Sequence, residues 1–177
     1  MSEYKKALGD SLYFVTMTIE GWVNVFDRKV YKDIIVKNLQ YCQDKENLEL
    51  YAYVIMSNHL HLVAARDSEK GLTELLGRFK SVTAKNILKE IETNPQESRR
   101  EWLLYLFEYF AKKNNQYSKY HLWQYTNNPV FLYNHEVTVQ KVKYIHQNPV
   151  RAGWVADESQ YIYSSACADS PIKVLSL

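Results

Sequence analysis

The stretch LELYAYVIMSNHLHLVAA, running from Leu48 to Ala65, decides the fold. Its two halves are rich in β-branched, aromatic and aliphatic residues, and Ser57-Asn58 separates them with turn-forming side chains. This pattern predicts strands over Leu48–Met56 and His59–Ala65 joined by a tight connection. Side chains alternate across a strand, so His59 and His61 share one face at the hairpin's return. Leu60 and Leu62 take the other face, where they can serve a core.

Working outward, YFVTMTIE from Tyr13 to Glu20 alternates in polarity and reads as a strand ending near Gly21. Between Lys29 and Glu46, Val30, Ile34, Ile35, Leu39 and Cys42 recur at helical spacing. After the hairpin, Gly71 to Ile91 carries an apolar stripe of Leu72, Leu75, Leu76, Phe79, Val82 and Ile87. The segment from Thr93 to Lys119 is irregular: NPQESRR reads as a polar loop, EWLLYLFEYFAKK as a short helix and NNQYSK as another loop, together an insertion. HLWQYT and PVFL supply one further edge strand or extended segment, since Pro129 argues against a central strand. A last helix is expected from His135 to about Asn148, because Pro149 biases its predecessor out of the helical region and Gly153 follows. Strand, helix, strand, strand, helix, then a late strand and helix is the split βαβ order. The expected fold is α+β, ferredoxin-like: an antiparallel sheet with helices packed on one face, an inserted helical segment and a C-terminal helix bearing Tyr144.

Composition narrows the function classes. The 177 residues suffice for one domain with a substantial core, so one site is sought. A net charge of +2 neither requires nor excludes a nucleic-acid partner, because only the placement of basic residues matters. Cys42 and Cys167 form no CxxC pair, which removes a disulfide framework and a zinc ribbon and fits a reducing cytoplasm. The N-terminal MSEYKKALGDSLYF lacks the apolar run of a signal peptide. No stretch approaches the roughly 18 apolar residues of a membrane span, so a soluble intracellular protein is expected.

Chemistry centres on the histidine pair. Two imidazoles on one strand face, about 7 Å apart along the chain, can grip one divalent ion. Histidines at this spacing also occur as ordinary polar residues of a half-exposed sheet, and the pair needs a third ligand. The segment KVKYIHQNPVRAG offers one: Asn148 lies one helical turn after Tyr144, with Gln147 as the close competitor. Two histidines and an amide oxygen suit Mg²⁺ or Mn²⁺ with open positions better than a closed zinc site. Those positions could hold a phosphate for in-line attack by Tyr144, giving a 5′-phosphotyrosine and a free 3′-hydroxyl. With 15 tyrosines in the chain, most serve packing. His146, on another helix face, reads as a packing or surface histidine.

Together YVIMSNHLHLV, RFKSVTAK and KYIHQNPVRAGWV followed by YIYSSA resemble the HUH-type single-tyrosine insertion-sequence transposases, in particular the REP-associated tyrosine transposase branch. The likeness runs from about Tyr13 to Ala166. It implies one transposase catalytic domain over residues 1–177, in which His59 and His61 are metal ligands, Tyr144 is the nucleophile and Asn148 is the third ligand. It further implies that the partner is single-stranded DNA with hairpin or inverted-repeat elements, and that the setting is the nucleoid of the cytoplasm. Mobile relatives work as homodimers that exchange tyrosine helices, whereas domesticated members include monomers.

Arg78, Lys80 and Lys85 are candidate contacts to a phosphate backbone, with Lys143 and Arg151 flanking the tyrosine. Trp123 and Tyr125 could stack on unpaired bases, although aromatics in so Tyr-rich a chain more often pack in the core. Three rival readings share some of these features: a rolling-circle initiator or relaxase, a hairpin-binding protein that no longer cuts, and an RNA-binding ferredoxin-like domain. The first usually carries extra domains, and the last lacks its aromatic strand signature here.

Overall fold

The computed structural model describes residues 12–66, 71–114, 118–126 and 129–177. Most of the N-terminal segment read above for a signal peptide, part of the loop Asn114–Lys119 and the Asn127-Asn128 junction lie outside the described residues. The elements are β1 (Tyr13–Thr18), α1 (Lys29–Glu46), β2 (Leu48–Ile55), β3 (His59–Arg66), α2 (Gly71–Thr93), α3 (Arg100–Lys113), β4 (Val130–Phe131) and α4 (His135–Arg151). Short 3₁₀ turns occupy Glu20–Trp22, Val25–Asp27 and Glu158–Gln160. The sheet order is β2-β3-β1-β4, with every pairing antiparallel. This is the ferredoxin-like arrangement expected from the element order, except that helices cover both faces rather than one: α1 and α2 pack on one side and α4 on the other. Among the described residues no helix is long and apolar enough to cross a membrane.

Two cores divide along the two faces of the sheet. Val15, Met17, Leu60, Leu62 and Ala64 pack with Ile35 and Leu39 of α1 and with Leu75, Leu76 and Phe79 of α2. Phe14, Ala52, Val54 and Val63 pack on the opposite face with Ile145 of α4. Leu60 and Leu62 are fully buried. A one-residue slip of β3 would expose both, at roughly 1.5–3 kcal/mol each, and drive His59 and His61 into the wrong core. The leucines thereby fix which face carries the histidines. Within β2, the pairing slips between Leu50 and Ala52 at Tyr51. That bulge switches the strand's phase, so that Leu48 and Leu50 before it and Tyr53 and Ile55 after it all reach the α1/α2 core.

Local departures from expectation have physical causes. In α2 the stripe passes through Thr83 rather than Val82, which is 48% exposed. Thr83 is accommodated because its hydroxyl donates to the Phe79 carbonyl (2.7 Å) and accepts from Trp123 Nε1 (3.1 Å). Helix α4 does not end at Asn148 but continues through Pro149 to Arg151. Proline removes one N–H from the helix ladder. The carbonyl this leaves without its partner is that of Ile145, which Asn148 Nδ2 reaches at 3.5 Å while donating to the Tyr144 carbonyl at 2.7 Å, and Pro149, itself buried, seats the helix on the sheet. At its start, Asn134 caps α4 by accepting from the Val137 N–H (2.8 Å). The C-terminal tail, of weak periodicity in sequence, runs beside β2: Ile55 N donates to Tyr163 O, Ser165 N to Tyr53 O, and Leu175 N to Leu50 O.

The insertion is pinned by Glu97, a buried carboxylate that accepts from Tyr31 Oη (2.7 Å) and pairs with Arg28 and Arg99 (3.2 Å each). Burial alone would raise its pKa. The hydrogen bonds from Arg99 and Tyr31 outweigh burial and hold it down at about 2. Glu97→Ala leaves the buried Tyr31 phenol without its acceptor and removes the counter-charge of Arg28 and Arg99, which keep only neutral partners at Gln96, Ser98 and Asn24. It should destabilise the protein by about 2–4 kcal/mol, read as a lowered denaturation midpoint at unchanged slope.

Candidate active site

β1 and β3 set the floor of the site. Their register places Thr16 opposite His61 and Thr18 opposite His59. The two imidazoles lie 4.8 Å apart, centroid to centroid. Asn58 Oδ1 is 2.7 Å from His59 Nδ1, and the orientation of that amide is fixed because its Nδ2 donates to Trp22 O (3.1 Å) and Asn24 Oδ1 (2.9 Å). His59 Nδ1 therefore carries the proton, and Nε2 keeps its lone pair. Thr16 Oγ1 engages His61 Nδ1 at 2.9 Å. Burial pushes His61 down to about 3, with the neighbouring His59 and then Lys141 adding to the effect; burial also lowers His59. Both rings are thus neutral near pH 7, the state in which imidazole ligates a metal.

Helix α4 brings the tyrosine to the same place. The Tyr144 ring is 5.4 Å from His61 and 6.0 Å from Phe14, which itself stacks on His61 at 5.2 Å and 24°. Lys141 Nζ sits 4.7 Å above the Phe14 ring and 5.8 Å from the Tyr144 ring; Arg151 Cζ is 5.3 Å from the latter. Cation–π attraction holds these charges over the rings and surrounds the phenol with positive charge. Asn148 shares the Tyr144 face. Its Nδ2 is spent on the helix backbone, which leaves Oδ1 as an uncommitted acceptor. Gln147, its competitor, lines a hollow between α4 and Glu158–Gln160, together with His146 and Val150. His146 is half-buried and bonded to Ser165 Oγ (2.8 Å). Among the described residues no three His, Cys, Asp or Glu side chains cluster around one point. The chemistry of two neutral imidazole nitrogens, joined by the amide oxygen that Asn148 would supply from the Tyr144 face, suits an open-sided Mg²⁺ or Mn²⁺ site better than a closed zinc site.

The expected DNA contacts divide. Lys143 and Arg151 are exposed on α4 beside the site. Arg78, Lys80 and Lys85 belong to α2, which covers the opposite face of the sheet. Arg78 departs from the expected role: it is bound to Glu46 and to Glu74 (2.7 Å) and ties α2 to α1. Lys80 donates to the Gln124 carbonyl (2.6 Å), and burial lowers its pKa to about 8. Lys85 is exposed along a groove shared with Tyr120 and Tyr125. Trp123 takes the core role and has no free face for stacking on a base. Only 4% exposed, it packs on Phe26 and bridges to Ile19.

Sequence reasoning missed Phe14, Thr16 and Asn58. Alternation in YFVTMTIE held the signal for Phe14 and Thr16, which share a face two residues apart. For Asn58 the local sequence signals only a turn former.

Comparison with known proteins fits this geometry. The family model described as transposase IS200-like matches residues 11–129, which include both histidines and end before α4. Among solved structures, the chain is similar to a REP-associated tyrosine transposase bound to a REP hairpin. The match has a TM-score of 0.57 at 16% identity over 88% of this chain and 76% of the other, a likeness of fold. Comparison with curated protein sequences finds no match. With two thirds of its length matched and the histidine pair inside the matched region, this chain belongs to the IS200-like transposase family.

Proposed function

We propose that the chain nicks and rejoins hairpin-bearing single-stranded DNA through a covalent tyrosine intermediate, in the manner of the REP-associated branch. The observation that carries this reading is the Tyr144 ring at 5.4 Å from His61, in the same chain and on the same sheet face. Tyr144 Oη attacks the scissile phosphorus, and the bond from phosphorus to the 3′ oxygen breaks. The phenol loses its proton to solvent, and the leaving 3′ oxygen ends as a hydroxyl. The phosphotyrosine ester keeps the energy of the broken bond, so a second 3′-hydroxyl can reverse the step on another end without ATP. Bound by His59, His61 and Asn148, Mg²⁺ or Mn²⁺ would polarise the phosphate and offset charge on the departing oxygen. Lys141 and Arg151 hold the phenol and attract the phosphate, while Thr16 and Asn58 orient the imidazoles.

A hairpin partner is supported by the REP hairpin bound to the similar transposase. The test uses end-labelled oligonucleotides carrying a hairpin with single-stranded flanks. Incubation with protein and Mg²⁺ or Mn²⁺ should give a nicked strand with a free 3′-hydroxyl and a protein adduct on the 5′ side, visible on a denaturing gel. Binding without any cut across a panel of hairpins would favour the non-cleaving reading instead.

A further inference from the structure

The backbone at the end of β1 takes an unusual course. Gly21 and Trp22 both adopt left-handed conformations, at φ 65° and 57°. Glycine accepts this freely. A tryptophan there is a true outlier, and such strain persists only where surrounding structure imposes it. Three contacts impose it here. A Cβ at Gly21 would lie 2.3 Å from the Phe110 ring of α3, so the inserted helix presses directly on the turn. Trp22 N donates to Ile19 O (3.0 Å), and Trp22 O accepts from Asn58 Nδ2, the same amide that orients His59.

The strain is not repaid by packing, because Trp22 is 61% exposed. What the ring does have is position. Its centroid is 6.1 Å from His59, at the end of a row running Tyr144, His61, His59, Trp22 with steps of 5.4, 4.8 and 6.1 Å. A phosphate at the histidine pair would have the phenol on one side and an exposed indole on the other. Indole stacks on the face of an unpaired base, which a single-stranded flank offers and the interior of a duplex does not.

We infer that Trp22 is the stacking platform for the unpaired base next to the scissile phosphate, and that the insertion helix α3 serves to hold it there. The inference rests on the strand-cleavage reading for the identity of that phosphate. Its test reads binding, so the two can fail separately. In a Tyr144→Phe background, which keeps the DNA uncut, Trp22→Gly relieves the backbone strain and removes the ring. It should melt no lower than its parent yet bind a hairpin with single-stranded flanks about 10-fold more weakly. Trp22→Phe should restore most of that binding, and a blunt hairpin without flanks should bind all three alike. A 2-aminopurine placed beside the mapped nick, or scanned along the flank, should be quenched by the parent and the Phe variant but not by the Gly variant.

Equal binding by the Gly variant, equal impairment of the Phe variant, or a lower melting temperature for Gly would each overturn the assignment. If Trp22→Gly does not fold, the parent decides: no flank position quenched means no stack. A wild-type chain that never forms an adduct would sink the cleavage reading while leaving the binding ratios to judge Trp22.

Discussion

Tyr144→Phe is expected to abolish both cleavage and the covalent adduct, a loss of at least about 10³-fold, while leaving the fold intact. The substitution removes one oxygen and nothing else. The ring keeps its contacts with His61 and Phe14 and its flanking cations, and the hydroxyl has no hydrogen-bond partner among the described residues to strand. Thermal stability should therefore stay within about 1 kcal/mol of wild type. Four other tyrosines are poor stand-ins because their hydroxyls are committed: Tyr31 to Glu97, Tyr53 to Ser170, Tyr161 to the Ile55 carbonyl and Tyr163 to Asp33. Burial also raises the pKa of Tyr161, which disfavours its phenolate. A labelled adduct surviving in the Phe variant would place the nucleophile elsewhere, and mass spectrometry of the linked peptide would say where.

The fold was legible because its elements are periodic and their periods differ. The stripe from Lys29 to Glu46 produced a helix with those bounds, and the alternation around His59 and His61 fixed a face as soon as Leu60 and Leu62 were given a core. What remained hidden depends on partners distant in sequence. Nothing local says that Thr83 replaces Val82 in the core until Trp123 arrives to donate to it. On its own helix Arg78 has only Glu74 one turn before it, and the proximity of α1 is what adds Glu46 and makes it a tie between helices. Pro149 reads as a helix stop unless the Asn148 side chain is seen folding back on the backbone. The site shows the same division. The histidine pair and Tyr144 could be read from spacing and resemblance, whereas Phe14, Asn58 and the strained Trp22 acquire meaning only from what they touch.

His61→Ala separates two roles that one side chain combines. As a ligand, its loss should lower Mg²⁺- or Mn²⁺-dependent cleavage by on the order of 10²-fold or more while leaving much of the DNA binding, since Lys143, Arg151 and Trp22 are untouched. As a buried base, its loss should change the acid response of the fold. The folded-state pKa of His61 lies near 3, below the 6.5 of an unfolded histidine. Between those values the unfolded chain binds a proton that the folded chain refuses. Wild-type stability is therefore undiminished by this group above pH 6.5 and eroded as pH falls toward 3, by roughly 3–5 kcal/mol over the whole window. Alanine removes that proton from both states. The cavity it leaves lowers the stability curve at every pH, but the slope below 6.5 should flatten by the contribution of one group. Denaturation followed from pH 7.5 to 4 in EDTA, which keeps metal out of the comparison, reads the slope directly. Parallel curves for the two proteins would mean that His61 titrates normally in the folded state, and the case for a preformed neutral ligand would go with it.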